Sequence, residues 1–194
     1  MNTLIREDLY SLEEYAALRN DFRAKVMAHK KNRRVAIGPN TALYFEDRLT
    51  MQYQVQEMLR AERIFEAEGI EEELAAYNSL IPDGHNWKAT FMIEFDDVED
   101  RRQALARMVG IEDRVWVRVD GFDPVWAIAD EDLERETEDK TSSVHFMRFE
   151  LTPDMVNAVK AGAAVSAGID HESYAHTVAA LPGEVRDSLS EDLA

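Results

Sequence analysis

Apolar residues recur at helical spacing near the start of the chain. Across residues 11–31, Tyr15, Leu18, Phe22, Val26 and His29 share one stripe, and Ser11 with Glu14 forms a capping box. A second amphipathic run starts near Thr50 and extends to about Glu68, with Gly69 as its stop. Met51, Val55, Met58 and Phe65 share its stripe with Glu62. A shorter helix is expected at Glu71–Tyr77. Further helices are expected at Val98–Val109, from Pro153 to Ala161 with Thr152 as N-cap, at His171–Ala180 and at Gly183–Leu189.

The strands announce themselves by alternation and turn residues. Arg34–Ile37 and Ala42–Glu46 flank Gly38-Pro39-Asn40-Thr41. Lys88–Phe95 places Ala89, Phe91, Ile93 and Phe95 on one face. Arg114–Val119 and Val125–Ala129 form a hairpin through Asp120–Pro124. Ser143–Leu151 is apolar enough on both faces to be a central strand, and Ala163–Ala167 is a short one. Adjacent strands mixed with helices predict an α+β fold with a largely antiparallel sheet, N-terminal helices, and helices packed on the sheet. The expectation is a single domain over residues 1–194, with an acidic mobile loop at about 130–141. No glycine-rich phosphate loop is present.

Charge sharpens this picture. The 194 residues carry a net charge of −17, yet residues 19–34 contribute +6, leaving −23 elsewhere. Such an acidic surface argues against nucleic-acid binding. The basic strip either pairs with the protein's own acidic helices or receives an anion or an acidic partner. The chain has no cysteine, so disulfides and thiolate-held metals are excluded on it. The absence of a signal-peptide pattern and of a membrane-length apolar run leads to the expectation of a cytoplasmic protein with no membrane partner.

Candidate chemistry centres on the second helix. Glu62 on an apolar stripe needs a proton or a cation; an inward ion pair to Arg19 or Arg23 is the favoured explanation. Tyr53, Glu57 and Arg60 point away from that stripe and form a polar cluster if the fold covers them. Glu94 and Arg148 are placed to pair across the sheet, and Trp116 with Arg114 and Arg118 to stack a planar ligand. Among the histidines, His145 and His171 are the weak metal candidates, with Glu62 as the third member of such a site. A hydrogen-bonded structural role is favoured for each, and no cofactor is expected.

Four strings carry a resemblance: residues 53–64 (Tyr-Gln-Val-Gln-Glu-Met-Leu-Arg-Ala-Glu-Arg-Ile), residues 73–82, residues 144–149 (Val-His-Phe-Met-Arg-Phe) and residues 168–174 (Gly-Ile-Asp-His-Glu-Ser-Tyr). Together they resemble an uncharacterised bacterial domain-of-unknown-function family. Its members are often encoded beside a rubrerythrin-like protein and an iron–sulfur oxidoreductase related to heterodisulfide reductase. The resemblance implies a role in redox or peroxide metabolism and brings no catalytic residues with it. Two readings follow. The favoured one is an accessory protein that binds a rubrerythrin-like or iron–sulfur redox partner, with Arg19, Arg23 and Arg148 as binding candidates; a homo-oligomer is compatible with it. The other is a metal- or small-molecule-dependent enzyme with a Glu/His/Arg pocket drawn from Glu57, Glu62, His145 and His171, with Arg60, Arg148 and Tyr53 nearby.

Overall fold

A computed structural model describes residues 3–194. The chain runs through α1 (Leu12–Lys30), β1 (Arg34–Ala36), β2 (Thr41–Glu46), α2 (Arg48–Glu62), α3 (Ala67–Asn78) and β3 (Asn86–Ile93). It continues with α4 (Val98–Arg107), a 3₁₀ turn at Ile111–Arg114, β4 (Val115–Val119), β5 (Val125–Trp126), β6 (Ile128–Ala129) and β7 (Val144–Glu150). The last elements are α5 (Pro153–Lys160), β8 (Val165–His171), β9 (Tyr174–Val178) and α6 (Gly183–Ser190). The α+β class with antiparallel pairing is as the pattern predicts. The strands form two sheets, however: β1-β2-β3-β7-β6 and β5-β4-β8-β9. The run expected as one strand over 125–129 splits at Ala127, so β5 pairs with β4 and β6 with β7.

The core lies between the sheets. Trp87, Ala89, Phe91 and Ile93 of β3 and His145, Met147 and Phe149 of β7 face Val115, Val117 and Val119 of β4 and Val165, Ala167 and Ile169 of β8. Helices α4, α5 and α6 close this layer through Ala104, Met108, Val156, Val159, Val185 and Leu189. Each fully buried large apolar side chain contributes roughly 1.5–3 kcal/mol. The opposite face of the five-stranded sheet carries Tyr44, Glu46, Lys88, Thr90, Met92, Phe146 and Arg148. Helices α1, α2 and α3 lie on that side, and α2 and α3 have a smaller core of their own: Met51, Val55, Leu59, Leu74 and Ile81 with Leu4.

Two expectations change. Helix α2 begins earlier because Asp47 accepts from the Thr50 N–H at 2.9 Å, and it ends at Glu62, where Arg63 adopts a left-handed conformation (φ 56°). Gly69 therefore lies inside α3, and Phe65, in the turn between the helices, is 70% exposed. The helix expected at 171–180 is a hairpin strand instead. Tyr174–Val178 pairs with Ala167–His171, and the Tyr174 hydroxyl donates to Ile37 O at 2.8 Å, so tertiary contacts override local helical propensity. Gly38 allows this docking: a Cβ there would collide with Tyr174 and His176, and its φ is +73°. Residues 130–143 contain no helix or strand. Arg135 pairs with Asp130 and Asp132 and lies over the Phe146 ring, while Thr141 is buried.

Candidate functional site

Two places gather polar side chains against apolar walls. The first is inside the core. On β7, His145 occupies an inward position and is fully buried. Its Nδ1 lies 2.6 Å from Asp130 Oδ2; a carboxylate only accepts, so Nδ1 carries the hydrogen and donates. Its Nε2 lies 2.9 Å from Thr141 Oγ1, 3.1 Å from Ser142 O and 3.9 Å from Glu112 Oε2. Asp130 also accepts from the Phe146 N–H at 3.0 Å and meets Arg135 at 3.0 Å. Glu112 sits on the 3₁₀ turn before β4, with Thr141 Oγ1 donating to it at 3.3 Å. Burial pushes the Glu112 carboxyl up to about 7, with a hydrogen bond to the Glu136 side chain adding to the shift. Glu136 in turn accepts from the Gly110 N–H at 2.9 Å. Ligand atoms of Glu112, Asp130 and His145 all lie within 4.8 Å of one another, the one such grouping of metal-ligating side chains among the described residues.

The second place is a groove between the helical layer and the outer face of the five-stranded sheet. A cavity of about 730 Å³ is walled by Met27, Met51, Met92 and Phe146, with Lys30, Lys31 and Arg34 at its edge. A neighbouring cavity of about 670 Å³ shares Tyr77, Leu80 and Phe146 with it and adds Lys88, Glu131 and Arg148. Cavities of this size are typical of ligand sites. Burial, followed by the neighbouring Arg148 cation, holds the Lys88 ammonium below its usual range. The Arg148 guanidinium is clamped by Glu131 at 2.9 Å and Glu150 at 2.5 Å.

The residues singled out from sequence are scattered. Glu57 lies between α1 and α2, accepting from the Tyr15 hydroxyl at 2.6 Å and from Arg19 at 2.8 and 2.9 Å. Arg19 holds the Glu57 carboxyl below its usual range, whereas burial and then Glu57 push the Tyr15 hydroxyl well above its own. The fold covers that side of α2 only in part: Tyr53 is buried against Phe22 and under Lys30, and Arg60 is exposed. Glu62 is exposed at the end of α2, so the expected inward ion pair to Arg19 or Arg23 is replaced by the Arg19–Glu57 pair. Arg23 is exposed. His171 Nε2 lies 3.0 Å from Val109 O and its Nδ1 accepts from the Ser173 N–H at 3.1 Å; neither it nor Glu62 joins His145 in a metal-ligating group. Glu94 meets Arg34 and Tyr44 rather than Arg148. Trp116 is buried against Gly168, and Arg114 lies over Trp126 instead. Sequence reading missed Glu112, Asp130, Thr141 and Lys88. The inward alternation of His145 was the only pointer to the first three, because their convergence needs the loop after β6 to fold back onto β7.

The family described as "Protein of unknown function (DUF3501)" matches residues 3–193. A solved structure of a novel protein of unknown function from Burkholderia pseudomallei K96243 superposes with a TM-score of 0.95 at 53% identity, covering 100% of both chains. None of the curated proteins matches the chain.

Proposed function

The chain belongs to the DUF3501 family, and we propose that it is an accessory protein that receives an acidic, partly apolar segment of a redox partner in the groove between α1–α3 and the sheet. The observation that carries this reading is the pair of adjoining cavities, about 730 and 670 Å³, that share Tyr77, Leu80 and Phe146, the first of them lined by Lys30, Lys31 and Arg34. Their apolar walls include Met27, Met51 and Met92, flexible and polarisable side chains that adapt to an incoming surface. Lys30, Lys31 and Arg34 in the lining of the first cavity favour carboxylates on the occupant, whereas Glu131 and Asp132 offset Lys88 and Arg148 in the second. On a chain of net charge −17, the cations of the first cavity are also a specificity device, because the surrounding acidic surface repels acidic proteins that miss them. The redox character of the partner rests on the resemblance to a family encoded beside rubrerythrin-like and iron–sulfur proteins. No helix among the described residues is long and apolar enough to cross a membrane.

The test is a titration of the purified protein against purified rubrerythrin-like and iron–sulfur oxidoreductase proteins of the source organism, at low and physiological salt and in both redox states. Saturable binding to one of them is expected, weakened at least roughly tenfold by Phe146→Glu, which puts a charge at the shared wall of the two cavities. Failure of the wild-type protein to bind either partner under all four conditions overturns the reading. So does binding unaffected by a folded Phe146→Glu variant.

A further inference from the structure

We propose that Glu112, Asp130 and His145 form a binding site for a divalent transition-metal ion, of the manganese, iron(II) or zinc class, buried between the two sheets. The site comes from three separate parts of the chain: the 3₁₀ turn before β4, the residue after β6, and the inward face of β7. An imidazole nitrogen and carboxylate oxygens are the donors these ions take, and the cysteine-free chain offers no softer ligand. The three ligand atoms lie within 4.8 Å of one another, and an ion binds in place of the hydrogen that His145 Nδ1 gives Asp130.

Three features separate this group from an ordinary buried histidine. His145 shares the inner face of its strand with Met147 and Phe149, where the surrounding core is apolar, so polar groups placed there carry a desolvation cost that packing alone does not require. Cations are also short here. Arg135 divides itself between Asp130 and the exposed Asp132, and Glu112 pairs with no arginine or lysine among the described residues, its nearest basic atom being His145 Nε2 at 3.9 Å. A divalent cation gives both carboxylates a shared partner. Lastly, two further oxygens hold the other nitrogen of the imidazole, Thr141 Oγ1 at 2.9 Å and Ser142 O at 3.1 Å from Nε2. Such groups orient ligands or complete a coordination shell. Asp130, Glu136, Thr141 and Ser142 all lie in the segment 130–143 that has no helix or strand, which gives an ion a way in without opening either sheet. This site is separate from the groove, since none of the three ligands lines either cavity.

The experiment uses full-length protein produced without a histidine tag and purified without chelator. Metal content is read by elemental analysis. Manganese, zinc and, anaerobically, iron(II) are then each titrated into chelator-treated protein, with calorimetry and thermal melting as readouts. About one ion per chain is expected, with a melting temperature that falls on chelation and recovers on readdition. Glu112→Gln and Asp130→Asn, which keep size and shape, are expected to weaken binding by roughly 10–100-fold while the metal-free variants stay folded by circular dichroism. His145→Gln is the third variant, and the two carboxylate variants decide the matter if it fails to fold. Substoichiometric metal with no melting shift for any of the three ions overturns the proposal. So does binding unchanged in the folded Glu112→Gln and Asp130→Asn variants, which places the ion elsewhere.

Discussion

Arg33 gives the sharpest test of how this fold is held. It sits after α1 and is 2% exposed, yet it carries a full charge. Its guanidinium donates to Phe45 O at 3.0 Å, Glu46 O at 3.1 Å, Ser188 O at 3.3 Å and Asp192 Oδ2 at 2.5 Å, with Asp47 Oδ2 3.4 Å away. One side chain thereby ties β2 to α6 and the C-terminal residues. Arg33→Met keeps the apolar length and removes the charge. Asp47 retains His29 at 2.5 Å, but Asp192, 5% exposed, loses its nearest cation. Breaking a buried pair from one side costs about 3–5 kcal/mol. For a chain of this length each kcal/mol lowers the melting temperature by about 2–4 °C, so a drop of roughly 6–20 °C is expected. Urea unfolding, followed through the fluorescence of fully buried Trp87, measures the loss directly. The loss is expected to shrink at about pH 5, where Asp192 is largely protonated with or without Arg33 and no stranded charge is left. A loss under about 1 kcal/mol at neutral pH, or one that is the same at both pH values, refutes the reasoning.

Two further outcomes follow from other contacts. Burial, outweighing the pull of Arg33, raises the Asp192 carboxyl to about 6 from an ordinary 3.8. The native chain thus holds this proton more tightly than the unfolded chain does. The resulting stabilisation is complete below about pH 3.8 and is lost as pH rises through about 6, on the order of 3 kcal/mol in all; Asp192→Asn should remove that component from the pH–stability curve, and an unchanged curve would count against it. Gly168→Ala puts a methyl into the indole of Trp116, which lies against Gly168 of β8, and is expected to cost about 1–3 kcal/mol in urea unfolding; an unaltered midpoint would mean the ring has room to move.

Much of the fold was legible along the chain because its causes are local. The Ser11–Glu14 capping box, the Thr152-Pro153 helix start and the alternation of β3 and β7 are set by residues within a few positions of one another, and each element formed close to where the pattern put it, β3 two residues earlier. The elements that moved are those whose state depends on distant contacts. Tyr174–Val178 is a strand because β8 offers its free edge and the Tyr174 hydroxyl reaches Ile37, 137 residues away. The split at Ala127 exists because two sheets, not one, need an edge strand there.

The candidate sites divide in the same way. Periodicity placed His145 on an inward face, and the charge count showed a basic strip on an acidic chain. Periodicity also placed Glu62 on an apolar stripe, but α2 stops at that residue, the stripe runs out, and the carboxylate meets solvent. Which acids reach His145, which arginine reaches Glu57, and which cations line the groove were decided by the tertiary structure alone. The physical reason is range. A side chain's face on a helix or strand follows from backbone periodicity over a few residues, whereas its partner follows from how separate elements pack, and no local spacing encodes that.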